Sequence, residues 1–310
     1  MSPANAPRLT LAVNPTANAG LGERRAREAA ALLVSRGAAV VELRRDTASE
    51  LAAAVAGALP ASDAVVAVGG DGAVNLVANV LAGTGVPLGV VPAGTGNDAA
   101  RLLGIPLDSV ADAVATLLDA LASGPRRIDL GLIEWAGGQR HYVAVASAGF
   151  DSRVNERANA WRWPRGKSRY TLAVLRELVS FRPIPFELTV DGHERLQRAM
   201  LVSVANGPSL GGGMRVAPDA RADDGLLDLF VVRPLSVPAF LGVFPKVFRG
   251  AHVGHRAVEL STVRSVTLRG PGVVVYADGE RITEGPVTIS VAPHALAVLS
   301  ALGSEHRLGE

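Results

Sequence analysis

Short, largely apolar runs alternate with helical patterns through the first 125 positions of the chain. Leu9–Val13, Ala38–Leu43, Asp63–Val68 and Pro87–Val91 predict strands, the last two buried on both faces. Between them, residues 22–36 predict a helix that stops at Gly37. Thr47-Ala48-Ser49-Glu50 matches a capping box, with Thr47 as N-cap and Glu50 reaching back, and predicts a helix to about Leu59. Ala73–Leu81 and Asp108–Ala122 carry two further helical patterns. Strands alternating with helices predict a parallel sheet covered on both faces.

After Gly124-Pro125 the pattern changes. Strand-like runs follow one another at 127–135, 141–148, 186–192, 196–205, 226–232, 258–269, 273–277 and 286–292. Helical patterns are confined to about 169–181 and 236–249. This predicts an α/β plus β protein: an N-terminal α/β domain over 1–126 and a C-terminal, mostly antiparallel β domain over 127–293. The apolar tail His294–Leu302 is expected to bring 294–310 back onto the first domain.

Composition narrows the function classes. The 310 residues are 48% hydrophobic and 19% charged, which implies a folded chain with a sizeable core. Aromatics make up only 4%, so Ala, Val and Leu must fill that core. A formal charge of +2 gives no reason to expect nucleic acid. The absence of cysteine excludes disulfides, thiolate nucleophiles and Cys-ligated zinc. The first ten residues lack a basic segment followed by an apolar one, and no run of about 18 apolar residues occurs. The expectation is a cytoplasmic protein, peripheral at most to the inner membrane face.

Two glycine-rich loops carry the candidate chemistry. Gly69-Gly70-Asp71-Gly72 follows the third strand, and Gly94-Thr95-Gly96-Asn97-Asp98 follows the fourth. Such loops leave backbone N–H groups bare at strand C-terminal ends, where open α/β sheets bind ligands and helix N-termini hold anions. Asp71 and Asp98 add carboxylates to the same place, the pairing that a phosphate donor with a divalent cation needs. A tight strand-to-helix turn also calls for glycine, but an Asp within the run and a second loop of the same kind favour phosphate. The second loop fits a dinucleotide pattern too. The acidic residue such a site needs at the end of the next strand is replaced by Asp108 and Asp112 within a helix, which disfavours an oxidoreductase.

Other motifs are weaker alone. Gly207-Pro208-Ser209-Leu210-Gly211 matches a nucleophile elbow, yet Gly212, Gly213 and Pro218 cannot open the helix that must follow. His252 and His255 read as surface residues rather than a metal site. Asp219–Asp228 holds four carboxylates and reads either as an Asp-Gly turn or as a hard-cation site. Asp278-Gly279-Glu280 reads as a hairpin turn. Residues 153–169 interleave Arg153, Arg157, Arg162, Arg165, Lys167 and Arg169 with Trp161 and Trp163, and Phe240, Phe244 and Phe248 recur at helical spacing. The basic run ordinarily reads as a solvated loop and the Phe spacing as core, but either segment becomes a candidate for an anionic membrane surface if the substrate is a lipid.

Taken together, these residues resemble the bacterial diacylglycerol kinase-like lipid kinases, relatives of sphingosine kinase. The match runs in order through Asn14-Pro15 with Gly20, Gly69–Gly72, Pro92–Asp98 with Arg101, Asn206-Gly207 with Gly211–Gly213, Pro218 with Asp224-Gly225-Leu226, and Asp278-Gly279-Glu280. The resemblance implies phosphoryl transfer from ATP to a lipid hydroxyl, in a cleft between an α/β domain and a β-sandwich. It implies ATP-binding positions at Asn14, Pro15, Thr47, Gly69, Gly70, Asp71, Gly72, Asn75, Gly94, Thr95, Asn97 and Asp98. It also implies Mg2+ held by Asp224 with the backbone carbonyls of Arg221 and Leu226, metal-linked acids at Asp71 and Asp98, and a proton acceptor at Glu280. Asp71 and Glu280 are thereby the catalytic candidates. The family usually has Thr where this chain has Ala73, which removes one hydroxyl from the phosphate loop. The competing readings are an NAD kinase-like phosphotransferase, which shares the Gly-Gly-Asp-Gly loop, and a non-catalytic lipid- or nucleotide-binding relative. Which lipid is used, and whether the chain is a monomer or a homodimer, stay open at this stage.

Overall fold

The computed structural model describes residues 6–14, 20–160, 172–174, 176–178 and 181–301. The chain forms two compact units, Met1–Ile128 with His294–Glu310, and Asp129–Pro293. Pro15, the stretch 161–169 of the basic Trp-containing segment, and Leu302 lie outside the described residues.

In the first unit, strands β1 (Arg8–Val13), β2 (Ala39–Arg44), β3 (Ala64–Gly69) and β4 (Leu88–Pro92) pair in the order β2-β1-β3-β4. All three pairings are parallel. Every residue of β3 and β4 is buried, as their unbroken apolar runs require. Helices α1 (Leu21–Ser35), α2 (Ala48–Ala58), α3 (Asp71–Leu81), α4 (Asp98–Leu102) and α5 (Val110–Ser123) fill the connections. Thr47 caps α2: its hydroxyl accepts from the Glu50 N–H at 3.2 Å, and the Glu50 carboxylate accepts from the Thr47 N–H at 3.2 Å. Helix α3 begins at Asp71, two residues before the expected Ala73, so the connection from β3 is only Gly70. At Gly89 an added Cβ would lie 2.5 Å from Leu117 Cδ1, which shows how closely α5 packs on β4. The stretch after His294 belongs to this unit: Val298 pairs with Leu88, and the Ser300 hydroxyl donates to the Leu103 carbonyl at 2.8 Å.

The second unit holds two layers. One is an antiparallel sheet in the order β12-β11-β10-β7-β14-β15, made of β7 (Val145–Gly149), β10 (Leu201–Ala205), β11 (Leu227–Val232), β12 (Val258–Val263), β14 (Val274–Ala277) and β15 (Glu280–Glu284). The other pairs β8 (Ile184–Val190) with β9 (His193–Ala199) and β13 (Ser265–Arg269), and β13 with β16 (Val287–Val298). The hairpin of β5 (Arg126–Trp135) and β6 (Gly138–Tyr142) is antiparallel. Val202, Val204, Leu229 and Val231 from the first layer pack with Phe186, Leu188, Val266 and Ile289 from the second in one core.

Three strands expected to be continuous are divided. Run 141–148 breaks because the Asp278 carboxylate takes the N–H groups of Val143, Ala144 and Val145 at 2.7, 2.9 and 3.2 Å, out of the ladder. Runs 196–205 and 258–269 break at Met200 and Arg264, where the chain leaves one layer for the other. At both crossings apolar residues resume within two or three positions, so each run reads as one strand although the strict alternation is interrupted. Helix α6 (Phe150–Ala160) was not expected, since its sequence is mostly polar.

Candidate active site

Sheet order reverses between β1 and β3, the point at which open α/β sheets form a ligand crevice. A cavity of about 300 Å³ opens there, lined by Asn14 after β1, Gly70–Ala73 after β3, and Gly94–Gly96 after β4. The two glycine loops touch through their backbones. A Cβ on Gly94 would lie 2.4 Å from the Gly70 Cα, and one on Gly70 would lie 3.0 Å from the Gly94 Cα. Side chains at either position would push the loops apart, so glycine is needed for contact rather than for a positive φ.

Polar side chains hold this arrangement. The Asp71 carboxylate accepts from the Ala99 N–H at 3.0 Å, tying the start of α3 to the second loop. A Cβ on Gly96 would lie 2.6 Å from Asp71 Oδ2, so Gly96 leaves room for that carboxylate. Asn97, at φ 56°, brackets Gly94: its Oδ1 accepts from the Gly94 N–H at 2.9 Å and its Nδ2 donates to the Gly94 carbonyl at 3.0 Å. The Arg101 guanidinium lies 3.3 Å from Asp98 and donates to the Gly96 carbonyl. Thr47, Gly69, Asn75, Asn97 and Asp98 thus stand outside the cavity wall, whereas Asn14, Gly70, Asp71, Gly72, Gly94 and Thr95 form it. Thr47 caps α2, and buried Asn75 accepts from the Asn79 amide on α3 at 3.1 Å. Ala73 lines the cavity, and its Cβ is the atom that a side chain on Gly69 would strike at 2.6 Å.

In the second unit, Asp278 and Gly279 have φ of 48° and 83° and turn β14 into β15, which Glu280 opens. With three N–H groups held by Asp278, this turn is a fixed platform for Glu280. The Glu280 carboxylate pairs with the Arg140 guanidinium on β6.

Asp219–Asp228 adopts a loop leading into β11. Asp224 is exposed, and its Oδ1 accepts from the Leu226 N–H at 3.0 Å. Burial, together with the neighbouring carboxylates of Asp224 and Asp219, pushes Asp228 up to about 6. A cation bound beside this repelling group would relieve it, so the loop's chemistry fits a divalent metal. Among the described residues no three His, Cys, Asp or Glu side chains converge tightly enough to hold a metal by themselves. One carboxylate with two backbone carbonyls does not require such a group.

Two groups escaped the sequence reading. Asp129, fully buried, accepts from the Gly225 N–H at 2.7 Å, while its own N–H donates to the Ala222 carbonyl at 2.6 Å. It anchors the acidic loop from both sides, and Asn206 fastens it further by donating to its carbonyl at 2.9 Å. A carboxylate inside the apolar strand pattern of 127–135 was the available signal.

The other is His252, expected at the surface and in fact 1% exposed. Its Nε2 lies 3.2 Å from the Val216 carbonyl, its ring stands edge-on to Phe230, and burial lowers its pKa. These contacts come from segments distant in sequence, Val216 and, in β11, Phe230, which a two-histidine spacing could not reveal. His252 lines a second cavity, of about 80 Å³, in which, among the described residues, only His252 and Asp151 carry polar side chains. Asp151, also buried, accepts from the Ser147 hydroxyl at 2.7 Å and the Asn155 amide at 3.1 Å. Ser209 is buried too, and the turn and bridge at 210–214 follow it in place of a helix.

Residues 8–133 match the model of the diacylglycerol kinase catalytic domain, and residues 144–300 match that of the YegS C-terminal NAD kinase beta sandwich-like domain. The diacylglycerol kinase of Mycobacterium tuberculosis (strain ATCC 25618 / H37Rv) is 41% identical over 298 residues, covering 94% of each chain. A probable lipid kinase YegS-like of Pseudomonas aeruginosa (strain UCBPP-PA14) is 32% identical over 251 residues, 77% of each. A crystal structure of a diacylglycerol kinase from Bacillus anthracis str. Sterne shares the fold, with a TM-score of 0.69 at 20% identity over 95% of this chain and 96% of that one. Matched across both units by family models and at 41% identity over nearly all its length, the chain belongs to the diacylglycerol kinase and YegS-like lipid kinase family.

Proposed function

We propose that this protein is an ATP-dependent lipid kinase that transfers the γ-phosphate to a hydroxyl of diacylglycerol or a related lipid. The observation that carries the reading is the backbone contact of Gly70 with Gly94 beside Asp71. It leaves an open cavity at the sheet's reversal point, beside the N-terminus of α3, suited to a triphosphate. Asn14, Gly70, Gly72, Gly94 and Thr95 line the phosphate site in this account, and Gly69, Thr47, Asn75, Asn97 and Asp98 shape it from behind. Pro15 is carried from the family resemblance alone. The missing hydroxyl at Ala73 leaves the backbone donors intact, so turnover is expected to survive it.

Mg2+ would neutralise the triphosphate charge when bound, and Asp71, which lines the cavity, would hold it, with Asp98 backing the loop from behind the wall. A second, structural Mg2+ would be held by Asp224 with the carbonyls of Arg221 and Leu226. Glu280 accepts the proton of the lipid hydroxyl as that oxygen attacks the γ-phosphorus, and the bond from that phosphorus to the bridging oxygen breaks to release ADP. Arg140, already paired with Glu280, holds its carboxylate in one orientation until the acceptor arrives.

The nearly wholly apolar cavity of the second unit favours a lipid over a soluble nucleotide as acceptor. No helix among the described residues is long and apolar enough to cross a membrane. Incubation with ATP, Mg2+ and a total lipid extract, read by mass spectrometry, tests the reading. A lipid gaining one phosphate supports it. Phosphorylation of NAD with no lipid product would replace it with the soluble-nucleotide reading. ATP binding with no product of either kind would favour a non-catalytic relative.

A further inference from the structure

Resting on that lipid-kinase reading, we infer that residues 237–249 are the membrane-docking element of this protein, and that they separate an anionic bilayer from the apolar cavity. A short helix, Val237–Val243, runs into a 3-10 turn, Phe244–Arg249. Phe240, Val243, Phe244 and Val247 line the cavity, spaced as one helical stripe. Beside that stripe, about a quarter-turn around the helix axis, Val237, Leu241 and Phe248 face solvent at 39%, 47% and 51% exposure. The apolar surface thus runs past the cavity lining and out to solvent, where it is left for a partner to cover.

The rings form a continuous path from interior to surface. Buried Phe150 meets Phe240 at 5.2 Å between centroids, Phe240 stacks on Phe244 at 5.4 Å, and Phe244 meets exposed Phe248 at 6.0 Å. An acyl chain leaving the bilayer at Phe248 would therefore find apolar contact all the way to the cavity wall.

Charge identifies the occupant. Between Ser236 and Val258 there is no Asp or Glu, while Lys246, Arg249 and Arg256 are exposed. None of these three has an ion-pair partner among the described residues. Cations flanking an exposed apolar ridge match an anionic lipid surface, to which each contributes about fivefold in partitioning. A second copy of this chain would meet the same three cations with its own, and they would repel.

The test uses the full-length protein and sedimentation with vesicles of phosphatidylglycerol and phosphatidylcholine, or of phosphatidylcholine alone. Wild type is expected to sediment with the anionic vesicles and to detach as salt rises. The double variant Leu241→Glu, Phe248→Glu is expected to lose about tenfold or more of that partitioning, while Leu196→Glu, at an 82% exposed site on β9, keeps it. Should the double variant melt lower than wild type, Lys246→Glu with Arg249→Glu provides the same reading from side chains that support no core.

Unchanged partitioning of both variants would overturn the inference. So would equal binding of wild type to neutral vesicles, or lipid-free self-association that the double variant abolishes. The kinase reading fails separately: a protein that docks through this face yet phosphorylates no lipid loses the activity and keeps the surface.

Discussion

At the scale of single residues, the account places each side chain in a task that a substitution can isolate. Glu280→Gln keeps the shape of the group and removes its basicity. A lost general base costs about 10²–10⁴-fold in kcat, with ATP affinity unchanged when measured by titration calorimetry. Near wild-type turnover would remove Glu280 from the chemistry. His252 offers a pH test. Its pKa is lowered by burial, so below the ordinary value of 6.5 the unfolded chain takes up a proton that the native state refuses. Stability is therefore expected to be intact above about pH 6.5 and to fall as pH drops through that value. Half-buried His141, also lowered by burial, acts in the same direction. His252→Gln, which retains a donor for the Val216 carbonyl, should flatten part of the acid fall in melting temperature. An unaltered acid limb in that variant would show that His252 carries no part of it.

At the scale of elements, glycine marks the places where backbones or helices come close, and the marks differ in kind. Gly89→Ala must drive α5 off β4, since the new methyl would sit 2.5 Å from Leu117, and is expected to destabilise by about 1–3 kcal/mol in denaturant unfolding. Gly57→Ala, with nothing within 4 Å in the interior of α2, is expected to stabilise by up to about 1 kcal/mol. Equal effects of the two would contradict the packing described here. The strands β1 to β4, their helices and the Thr47 capping box were legible in the sequence because local patterns specify them: buried parallel strands read as apolar runs and caps have a fixed spacing. The divided strands were not legible. Their breaks depend on partners far along the chain: Asp278 for residues 143–145, and the opposite layer for Met200 and Arg264. The short α4 and the mostly polar α6 left no periodic trace.

At the scale of the whole molecule, the site was legible as motifs but not as geometry. The glycine loops announced a phosphate site, yet nothing local told that Gly70 and Gly94 would touch, or that Asn97 would turn inward to bracket the loop. Asp129 showed in the sequence only as a carboxylate inside an apolar run, and the burial of His252 did not show at all, because each takes its meaning from chain segments far away in sequence. Everything proposed for activity depends on the cavity between the two loops holding a triphosphate. Hydrogen exchange of the full chain with and without Mg-ATP measures that most directly. The account expects slowed exchange at the backbone N–H groups of Gly70–Val74 and Gly94–Ala99, lost in Asp71→Asn. Protection confined to other segments, or none at saturating nucleotide, would contradict it.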